Sequence, residues 1–460
     1  MTNISRYRRR SLQRRSLRRA FAFAVVLAAG SGRAESSPPV AITLSEALEA
    51  AAERSHASAA ARLDVESARE ATRKARAAYL PSFGVSGGWF GRDHEVVATF
   101  DTPFGAIAAE TTQKNFFVGD VTLSQLLWDG GRRSSALKAS RMGVEAAAMR
   151  GRVDILGAQL EALSAYLRIL VLKAQRRVVD QRVANLEGHL REARDLYDQG
   201  LVARNDLLGT EVRLRTVKDQ LGQIENSVAV SAEGLNRLMG RDPGEPIVLP
   251  DSLPTPPALT ETLEEMKRRL SDRSPALLAL VARLGAESQT AELRRRDDLP
   301  NLFARASHEY QQNQYLAYPQ SNVFFVGLSW TAFDGGARDA LRRQADLAVE
   351  KTEHEIRETR RVLEIELDRT FRDYEQALRE ASTARSNTAA AEENLRIVSD
   401  QYRAGLGRTT EVLDAESVLA ETRFAVASQH YTAYLRQGSL LGAAGLDLVP
   451  FFAQVHPKEP

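Results

Sequence analysis

The feature that constrains this chain most is a motif that occurs twice, 205 positions apart. "LSQLLWDGGRRSSAL" begins at Leu123, and "LSWTAFDGGARDALR" begins at Leu328. Each copy runs from alternating apolar residues through an aromatic residue and Asp-Gly-Gly into a basic, helix-prone segment. A chain that passes from strand to helix in the same way twice is predicted to contain two structural repeats.

Two further pairs of segments extend the duplication. "YDQGLVARNDLLGTE" from Tyr197 matches "YRAGLGRTTEVLDAE" from Tyr402 at the same offset of 205. Upstream, Leu80-Pro81 pairs with Leu299-Pro300 at an offset of 219, so the first strand pair is about fourteen residues longer than the second. We expect the excess to form a loop around "RDHEVVATFDTPFGAIAAE".

The distributions of aromatic residues and proline separate strands from helices. The segments 82–128 and 302–333 alternate with a period of two, as half-buried strands do, and hold all three Trp and ten of the sixteen Phe. No proline occurs between Pro103 and Pro243 or between Pro319 and Pro450. Because an interior proline costs about 3 kcal/mol, these gaps predict very long helices.

Each repeat is therefore predicted as helix, strand, loop, strand, long helix, glycine-containing turn and returning helix. The predicted boundaries are 35–240 for the first repeat (strands about 82–91 and 113–128, long helix about 132–197, tip turn 198–205), 241–258 for a proline-rich linker, 259–440 for the second repeat (strands about 302–312 and 321–333, long helix about 337–402, tip turn 403–410) and 441–460 for a C-terminal tail.

The two Asp-Gly-Gly motifs are predicted to join a strand to a long helix. Glycine adopts backbone angles that other residues avoid, and an aspartate can cap the first turn of the helix that follows. The predicted joint residues are Asp129, Gly130, Gly131, Asp334, Gly335 and Gly336.

The N-terminal segment resembles a secretory signal. Residues 1–34 hold nine Arg and no acidic residue, and they include the short apolar run "FAFAVVLAAG". The alternative is a basic arm with a short core helix. Its removal changes the net charge from +2 to −7, which argues against nucleic-acid binding. The chain has no Cys, so neither disulfides nor a lipid-bearing N-terminal Cys is expected, and no later stretch supplies eighteen consecutive apolar residues.

The sequence offers no constellation for catalysis or for a cofactor. Its seven His include no pair at positions i, i+3 or i, i+4, so no metal site is predicted. It also lacks a phosphate-binding loop and a G-x-S-x-G nucleophile motif. We therefore expect neither an enzyme nor a bound cofactor.

Two repeats supply four strands, which are too few to close a barrel. An open sheet would expose its edges, whereas three identical chains would give twelve strands, an even number that suits an outer-membrane barrel. The alternative is a soluble coiled-coil protein with small β-hairpin heads.

Residues 42–445, with the two Leu-Pro junctions, the two Asp-Gly-Gly joints and the two glycine-containing helix turns, resemble the TolC-like outer-membrane efflux channels. This resemblance implies a homotrimer with a 12-stranded barrel in outer-membrane lipid and an α-helical barrel in the periplasm. It also implies an equatorial belt, formed here by the linker region 241–275 and the tail after Gln437. The tips of such channels dock on a periplasmic adaptor protein that links them to an inner-membrane pump.

The resemblance also implies a gate at the second tip. Glu411 and Asp414 match two acidic residues that line the narrowest point of the closed tube, where three chains would place six carboxylates and favour cations. The alternative is that both residues complement the helix dipole, with Thr409 or Thr410 as the N-cap.

Other site residues follow from the same resemblance. Tyr402 is expected to bond Asp206 in the closed state. Arg408 is expected to contact Asn205, although this sequence departs from the family by having Gly407 at the Arg position and Arg408 next to it. Asn205 is alternatively the N-cap of the returning helix. The expected adaptor contacts in the turns are Gly200, Leu201, Gly405 and Leu406, and the expected membrane-interface aromatics are Trp128, Phe333, Trp330 and Trp89.

The function predicted from this resemblance is a passive exit duct of a tripartite efflux pump. The outer-membrane duct of a type I protein secretion system is a second possibility, and a non-conducting structural or adhesive surface trimer is a third. In each case the protein is predicted to be exported and to reside in the bacterial outer membrane.

Overall fold

The computed structural model describes residues 41–200, 203–404 and 406–454, which form two similar runs of helices and strands. Both long helices have 67 residues, about 100 Å at 1.5 Å per residue, and both returning helices have 35. The elements are α1 Leu44–Arg54, α2 His56–Ala77, β1 Ser82–Gly91, β2 Val96–Thr102, β3 Gly105–Thr112, β4 Asn115–Trp128, α3 Arg132–Asp198, α4 Arg204–Leu238, α5 Leu263–Arg273, α6 Pro275–Arg295, β5 Asn301–Gln311, β6 Gln320–Ser329, α7 Ala337–Arg403, α8 Thr409–Ala443 and α9 Leu448–Phe452.

Four antiparallel strands form the main sheet in the order β1-β4-β5-β6. The β1–β4 pair places Ser82 opposite Ser124, and the β5–β6 pair places Asn301 opposite Ser329. These two pairs are equivalent under the sequence offsets of 219 and 205, so the hairpins share one register. In the protomer, β1 and β6 are the outer strands of this sheet.

The two faces of this sheet differ in polarity. One face carries the Asp, Glu and Arg side chains of the four strands, which are Asp120, Arg305 and Glu309, and Thr122 donates a 2.8 Å hydrogen bond to Asp120. The other face exposes large apolar side chains, namely Phe83, Val85, Trp89, Val121, Leu123, Phe324, Val326 and Leu328. A wide, exposed apolar face of this kind suits contact with lipid.

The segment that was expected to be a loop in the first repeat is a second β-hairpin. β2 and β3 form a separate two-stranded sheet, joined by a turn at Gly105, whose φ is +109°. Thr102 Oγ1 donates a 2.7 Å hydrogen bond across this turn to the Gly105 carbonyl. Alternating residues in "VVATFDT" favour a strand, so the prediction of a loop was wrong, and the chain has six strands within the described residues.

The end of the fourth strand of the main sheet also differs from its prediction. β6 ends at Ser329, whereas the alternation had suggested an end near 333. The chain leaves the sheet at Trp330, whose indole N–H donates a 3.0 Å hydrogen bond to the Asp298 carbonyl.

The long helix α3 organises the helical part. It contacts α2 and α6 as well as α4 and α8, and α7 contacts α6 and α8. Leu163, Tyr166 and Leu170 of α3 are buried in the main core cluster. Among the described residues, α3 is the one helix with a stretch long and apolar enough to cross a membrane, and this cluster shows its apolar residues packing against other helices.

A collar, defined here as α1, the linker 241–258 and α9, packs around the middle of α3. The linker has no regular structure, and its carbonyls accept hydrogen bonds from side chains of α3 and α8. Lys173 Nζ donates to the Leu249 carbonyl at 2.8 Å, and Tyr434 Oη donates to the Pro254 carbonyl at 2.8 Å. These bonds satisfy backbone groups that a helix or strand would otherwise pair.

Candidate gate and strand-to-helix joints

The first joint is built by one aspartate at the start of α3. Asp129 Oδ1 accepts a hydrogen bond from the Gly131 N–H at 3.1 Å, and Asp129 Oδ2 accepts one from the Arg133 N–H at 2.8 Å. The Arg133 guanidinium lies 3.3 Å from the same carboxylate. The carboxylate therefore satisfies free N–H groups of the first helical turn and is neutralised by the helix that it caps.

The second joint repeats this geometry. Asp334 accepts hydrogen bonds from the N–H groups of Gly336 and Arg338, both at 3.1 Å, and Arg338 Nε lies 2.9 Å from Asp334 Oδ2. Gly335 and Gly336 have φ values of +70° and +85°, close to the +67° and +87° of the first joint. Glycine is needed at these positions because other residues are strained there.

The surroundings of the two joints are different. A Cβ on Gly130 would lie 2.5 Å from Leu299, and one on Gly131 would lie 2.5 Å from Arg296. A Cβ on Gly335 or Gly336 would meet no atom within 4 Å. The first joint is thus covered by the α6–β5 junction of its own chain, and the second is open.

The aromatic residues predicted for the membrane interface are all exposed in the protomer. Trp128 ends β4 beside the first joint, and Trp330 and Phe333 lie between β6 and the second joint. Trp89 lies near the opposite end of β1. Three of the four therefore lie at the end of the sheet that faces the helices, and Trp89 lies toward the other end.

The acidic residues of the predicted gate lie on α8 near the second tip. Glu411 and Asp414 are exposed and share one helical face with Glu421, which the sequence reading did not include. Glu411 also accepts a 3.1 Å hydrogen bond from the Arg408 N–H. The N-cap is Arg408, so the prediction of Thr409 or Thr410 was wrong, and Glu411 satisfies a free N–H at the helix start as well as facing solvent.

At the first tip the chain reverses direction after Tyr197. Gly200 has a φ of +74° and donates a 2.9 Å hydrogen bond to the Tyr197 carbonyl. α4 begins with Ala203 as its N-cap, so Asn205 lies inside the helix and is not the cap. At the second tip, Leu406 is 84% exposed. Leu201 and Gly405, also predicted to contact an adaptor, lie outside the described residues.

Comparison with known proteins connects this architecture to a family. The profile described as outer membrane efflux protein matches residues 47–241 and 268–446. This chain belongs to the outer membrane efflux protein family. The two matched ranges include all six strands and both long helices described above. The family is one of outer-membrane channels, so the chain is not an enzyme.

Individual relatives agree with this membership. The chain is 27% identical to protein CyaE of Bordetella pertussis over 387 residues, which cover 81% of this chain and 77% of that protein. It is 21% identical to the outer membrane efflux protein BepC of Brucella suis over 358 residues, 76% of each chain. The solved structure of the outer membrane protein VceC from Vibrio cholerae matches with a TM-score of 0.72 and 17% identity, covering 87% of this chain and 96% of that one.

Within this outer membrane efflux protein, the expected tip link does not form in the protomer. Tyr402 Oη is buried and has no hydrogen-bond partner among the described residues, so it does not bond Asp206. The Tyr402 ring instead packs against His189 of α3, with ring centroids 5.0 Å apart. The predicted Arg408–Asn205 contact is likewise missing from the hydrogen bonds of the described residues, where the Arg408 N–H is used by Glu411.

His189 is a tip residue that the sequence reading missed. It is 7% exposed, its Nε2 has no partner among the described residues, and its Nδ1 lies 4.0 Å from Glu192. Burial lowers the pKa of His189, although the Glu192 carboxylate opposes this shift. The only local signal was a histidine among apolar helix positions, which does not identify Tyr402, 213 positions away, as its neighbour.

Ser417 of α8 was missed for the same reason. Its hydroxyl contacts Arg182 of α3 and Arg213 of α4, more than 200 positions earlier in the chain.

No group of three or more His, Cys, Asp or Glu side chains is arranged to hold a metal ion in the part of the chain that the structure describes.

Proposed function

We propose that this protein is the trimeric outer-membrane exit duct of a tripartite efflux pump. Three copies form a 12-stranded barrel in the outer membrane, continued by a periplasmic tube of long helices. The duct passively conducts substrates delivered by an inner-membrane pump and a periplasmic adaptor. The observation that carries this proposal is the four-stranded sheet with two open edges and one exposed apolar face.

The open edges make a single chain incomplete. β1 and β6 each present unpaired backbone groups along one side, and four strands are too few to close a barrel. In lipid those groups must be paired, because no water is available to bond them. Pairing β6 of one chain with β1 of the next removes every edge after three chains.

The internal duplication supplies the register of this contact. β4 and β5 pair within the protomer, with Ser124 opposite Arg305 and Val121 opposite His308. Applying the offsets of 205 and 219 to β4 and β5 gives the equivalent contact between chains. This places Ser329 of one chain opposite Ser86 of the next.

The helices carry exposed apolar residues on the flanks that this assembly would cover. They lie on α2 and α4, at one side of α3, and on α7, at the far side of the second repeat: Leu63, Leu208, Val212, Val230, Leu347, Val362 and Ile365. Leu80, at the α2–β1 junction, is 67% exposed and is the counterpart of Leu299. In a trimer it would cover Gly335 of the next chain, as Leu299 covers Gly130.

The tips give the duct its selectivity and its docking surface. Three copies of Glu411 and Asp414 around one axis would attract cations and repel anions. The exposed turn at Leu406 and the reversal at Gly200 offer the end of the tube to an adaptor. The name of BepC as an outer membrane efflux protein supports efflux as the role of the duct.

A cysteine cross-link tests the trimer directly, because the chain has no Cys of its own. The double variant Ser86→Cys with Ser329→Cys should form dimers and trimers on a non-reducing gel after oxidation in membranes. The matched control, Ser86→Cys with Leu328→Cys, places the second thiol on the other face of β6 and should not cross-link. The proposed contact would be contradicted if only the control cross-linked efficiently, or if neither variant did.

Ion selectivity tests the gate. Purified trimers should open pores in planar bilayers, and Glu411→Ala with Asp414→Ala should reduce the cation preference and weaken block by multivalent cations. Glu353→Ala with Glu358→Ala, two exposed acids on α7 far from the tip, removes the same charge as a control. A cation preference that stays the same in the Glu411/Asp414 variant would remove these residues from the gate.

A further inference from the structure

One polar contact joins α8, which carries the predicted gate residues, to α3 and α4 of the first repeat. Ser417 Oγ accepts a hydrogen bond from Arg182 Nη2 of α3 at 2.6 Å and one from Arg213 Nη2 of α4 at 2.8 Å. The same hydroxyl donates to the Leu413 carbonyl at 2.9 Å. A serine hydroxyl offers one donor and two acceptor positions, so all of its hydrogen-bonding capacity is used.

Between the collar and the tip, this contact is the single hydrogen-bonded link from α8 to α3 or α4 among the described residues. Farther along α8, His430 and Tyr434 bond the linker carbonyls of Leu253 and Pro254 at 3.1 Å and 2.8 Å. Toward the tip, the contact between α8 and the first repeat is apolar, through Leu413. α8 is therefore fixed by hydrogen bonds at the collar and at Ser417, and Ser417 lies one turn from Asp414.

The electrostatics of the contact make it easy to release. Within the described residues, neither Arg182 nor Arg213 has a carboxylate within the 4.0 Å of an ion pair, so two positive groups meet at a neutral hydroxyl. Burial lowers the pKa of Arg182, and the charge of Arg213 lowers it further, while Glu416 and Glu421 oppose both effects. Two like charges held by one neutral acceptor are bound less firmly than they would be by a carboxylate.

Glu416 is a buried acidic residue beside the same contact. Its side chain is buried, and Oε2 has no hydrogen-bond partner among the described residues. Glu416 and Arg182 line one small cavity between α3, α7 and α8 without reaching ion-pair distance. Desolvation raises the pKa of Glu416, and Arg182 opposes that shift. The packing of α8 here thus leaves charges that would be better solvated if α8 moved away.

We infer that Ser417 is a positioning residue of the gate. By binding Arg182 and Arg213, it holds α8, and with it Glu411 and Asp414, against α3 and α4 in the narrow state of the duct. Release of Ser417 from the two guanidinium groups is then a step of opening. This inference rests on the proposed function, and it assigns to Ser417 the restraint that the unformed Tyr402–Asp206 bond does not supply in the protomer.

Three substitutions at one position test this role in bilayer recordings of purified trimers. Ser417→Ala removes the acceptor of both bonds and should raise the open probability by at least roughly tenfold, the effect of losing one of them. Ser417→Asp offers a carboxylate to both guanidinium groups and should lower the open probability below that of the unmodified protein. Ser417→Thr keeps the hydroxyl and should behave like the unmodified protein.

Ser439→Ala is the matched control. Ser439 lies on the same helix and donates the same type of bond to the carbonyl four residues before it, at 2.9 Å, without an arginine partner. It should leave the open probability unchanged. The temperature at which trimers dissociate in detergent should change little in all four variants, which separates a gating role from a purely structural one.

Opposite shifts for alanine and aspartate support the positioning role. Equal open probabilities in all variants, with cross-linked trimers and normal pores, would overturn this inference and leave the proposed duct intact. Shifts of the same sign for alanine and aspartate would also overturn it, since mere disturbance of packing would explain them. Loss of both pores and the Ser86–Ser329 cross-link in every variant would contradict the duct and the inference together.

Discussion

The two Asp-Gly-Gly joints have nearly the same backbone but different neighbours. Gly130 and Gly335 have φ values of +67° and +70°, and Asp129 and Asp334 cap their helices through equivalent bonds. Yet a Cβ would collide with Leu299 at Gly130 and would meet open space at Gly335. Local sequence sets the shape of a joint, and its position in the chain decides whether the same chain covers it.

The two tips differ in the same way. Tyr402 is 5% exposed because His189 packs against it, whereas Tyr197, its counterpart in the first repeat, is 37% exposed. The counterpart of His189 at the offset of 205 is Asn394. One copy of each repeated feature is thus covered within the protomer and one is exposed. In the proposed trimer, a second copy of the chain would contact the exposed joint.

The largest expected effect is that of alanine at the joints. Gly130→Ala should cost about 3 kcal/mol per subunit, from left-handed strain and from overlap with Leu299. Gly335→Ala should cost only about 1 kcal/mol in an isolated protomer, from strain alone. In the trimer, where Leu80 of the next chain would cover it, we expect the cost to approach that of Gly130→Ala.

The dissociation temperature of detergent-solubilised trimers measures both variants. Gly143→Ala, inside α3 with no atom within 4 Å of a Cβ, is the control and should not lower it. If Gly335→Ala lowers the dissociation temperature much less than Gly130→Ala does, the second joint is not covered by a neighbouring chain.

A smaller effect is expected from neutralising the capping carboxylates. Asp129→Asn should cost about 2 kcal/mol, because the buried carboxylate loses charge-assisted bonds to Arg133 and to the helix N–H groups. Asp334→Asn should cost about 1 kcal/mol in the protomer, where its side chain is 24% exposed. The same trimer dissociation assay would show the two costs converging if the second joint is buried by assembly, and remaining unequal if it is not.

The smallest effect is pH-dependent and is confined to one tip. Burial holds the pKa of His189 below its ordinary value of 6.5, so below that pH the unfolded or opened tip binds a proton that the packed tip does not. The stability of the His189–Tyr402 contact should therefore be complete above about pH 6.5 and decline as the pH falls.

Hydrogen–deuterium exchange of residues 395–404 at two pH values measures this decline. His189→Asn, which copies the residue found at the other tip, should abolish the pH dependence. A pH dependence that persists in His189→Asn would show that His189 is not the cause.

Much of the fold was predictable because the sequence contains two copies of the same repeat. The strand-to-helix joints at Asp129 and Asp334 and the two 67-residue helices follow from repeated motifs, proline gaps and period-two alternation. The β2–β3 hairpin was missed because the comparison between repeats treated the extra residues of the first repeat as a loop. Its own alternation, in "VVATFDT" and around Gly105, was a sufficient signal.

The candidate site was less predictable, because its contacts join residues about 200 positions apart. Nothing near Ser417 indicates Arg182 or Arg213, and nothing near Tyr402 indicates His189. The resemblance to a family suggested a Tyr402–Asp206 bond, but packing of the Tyr402 ring against α3 excludes it in the protomer. Periodicity indicates which face of a helix is buried, and it does not identify the helix on the other side.

The unpaired edges of β1 and β6 have a genetic consequence. In the proposed trimer the sheet of each chain is completed by the two neighbouring chains. A chain with a blocked β6 edge would still be incorporated through its β1 edge, and it would prevent closure of the barrel. If normal and defective chains were made in equal amounts, about one trimer in eight would contain normal chains alone. A defective allele of this gene should therefore be dominant over the normal one, although the defective chain has only lost a function.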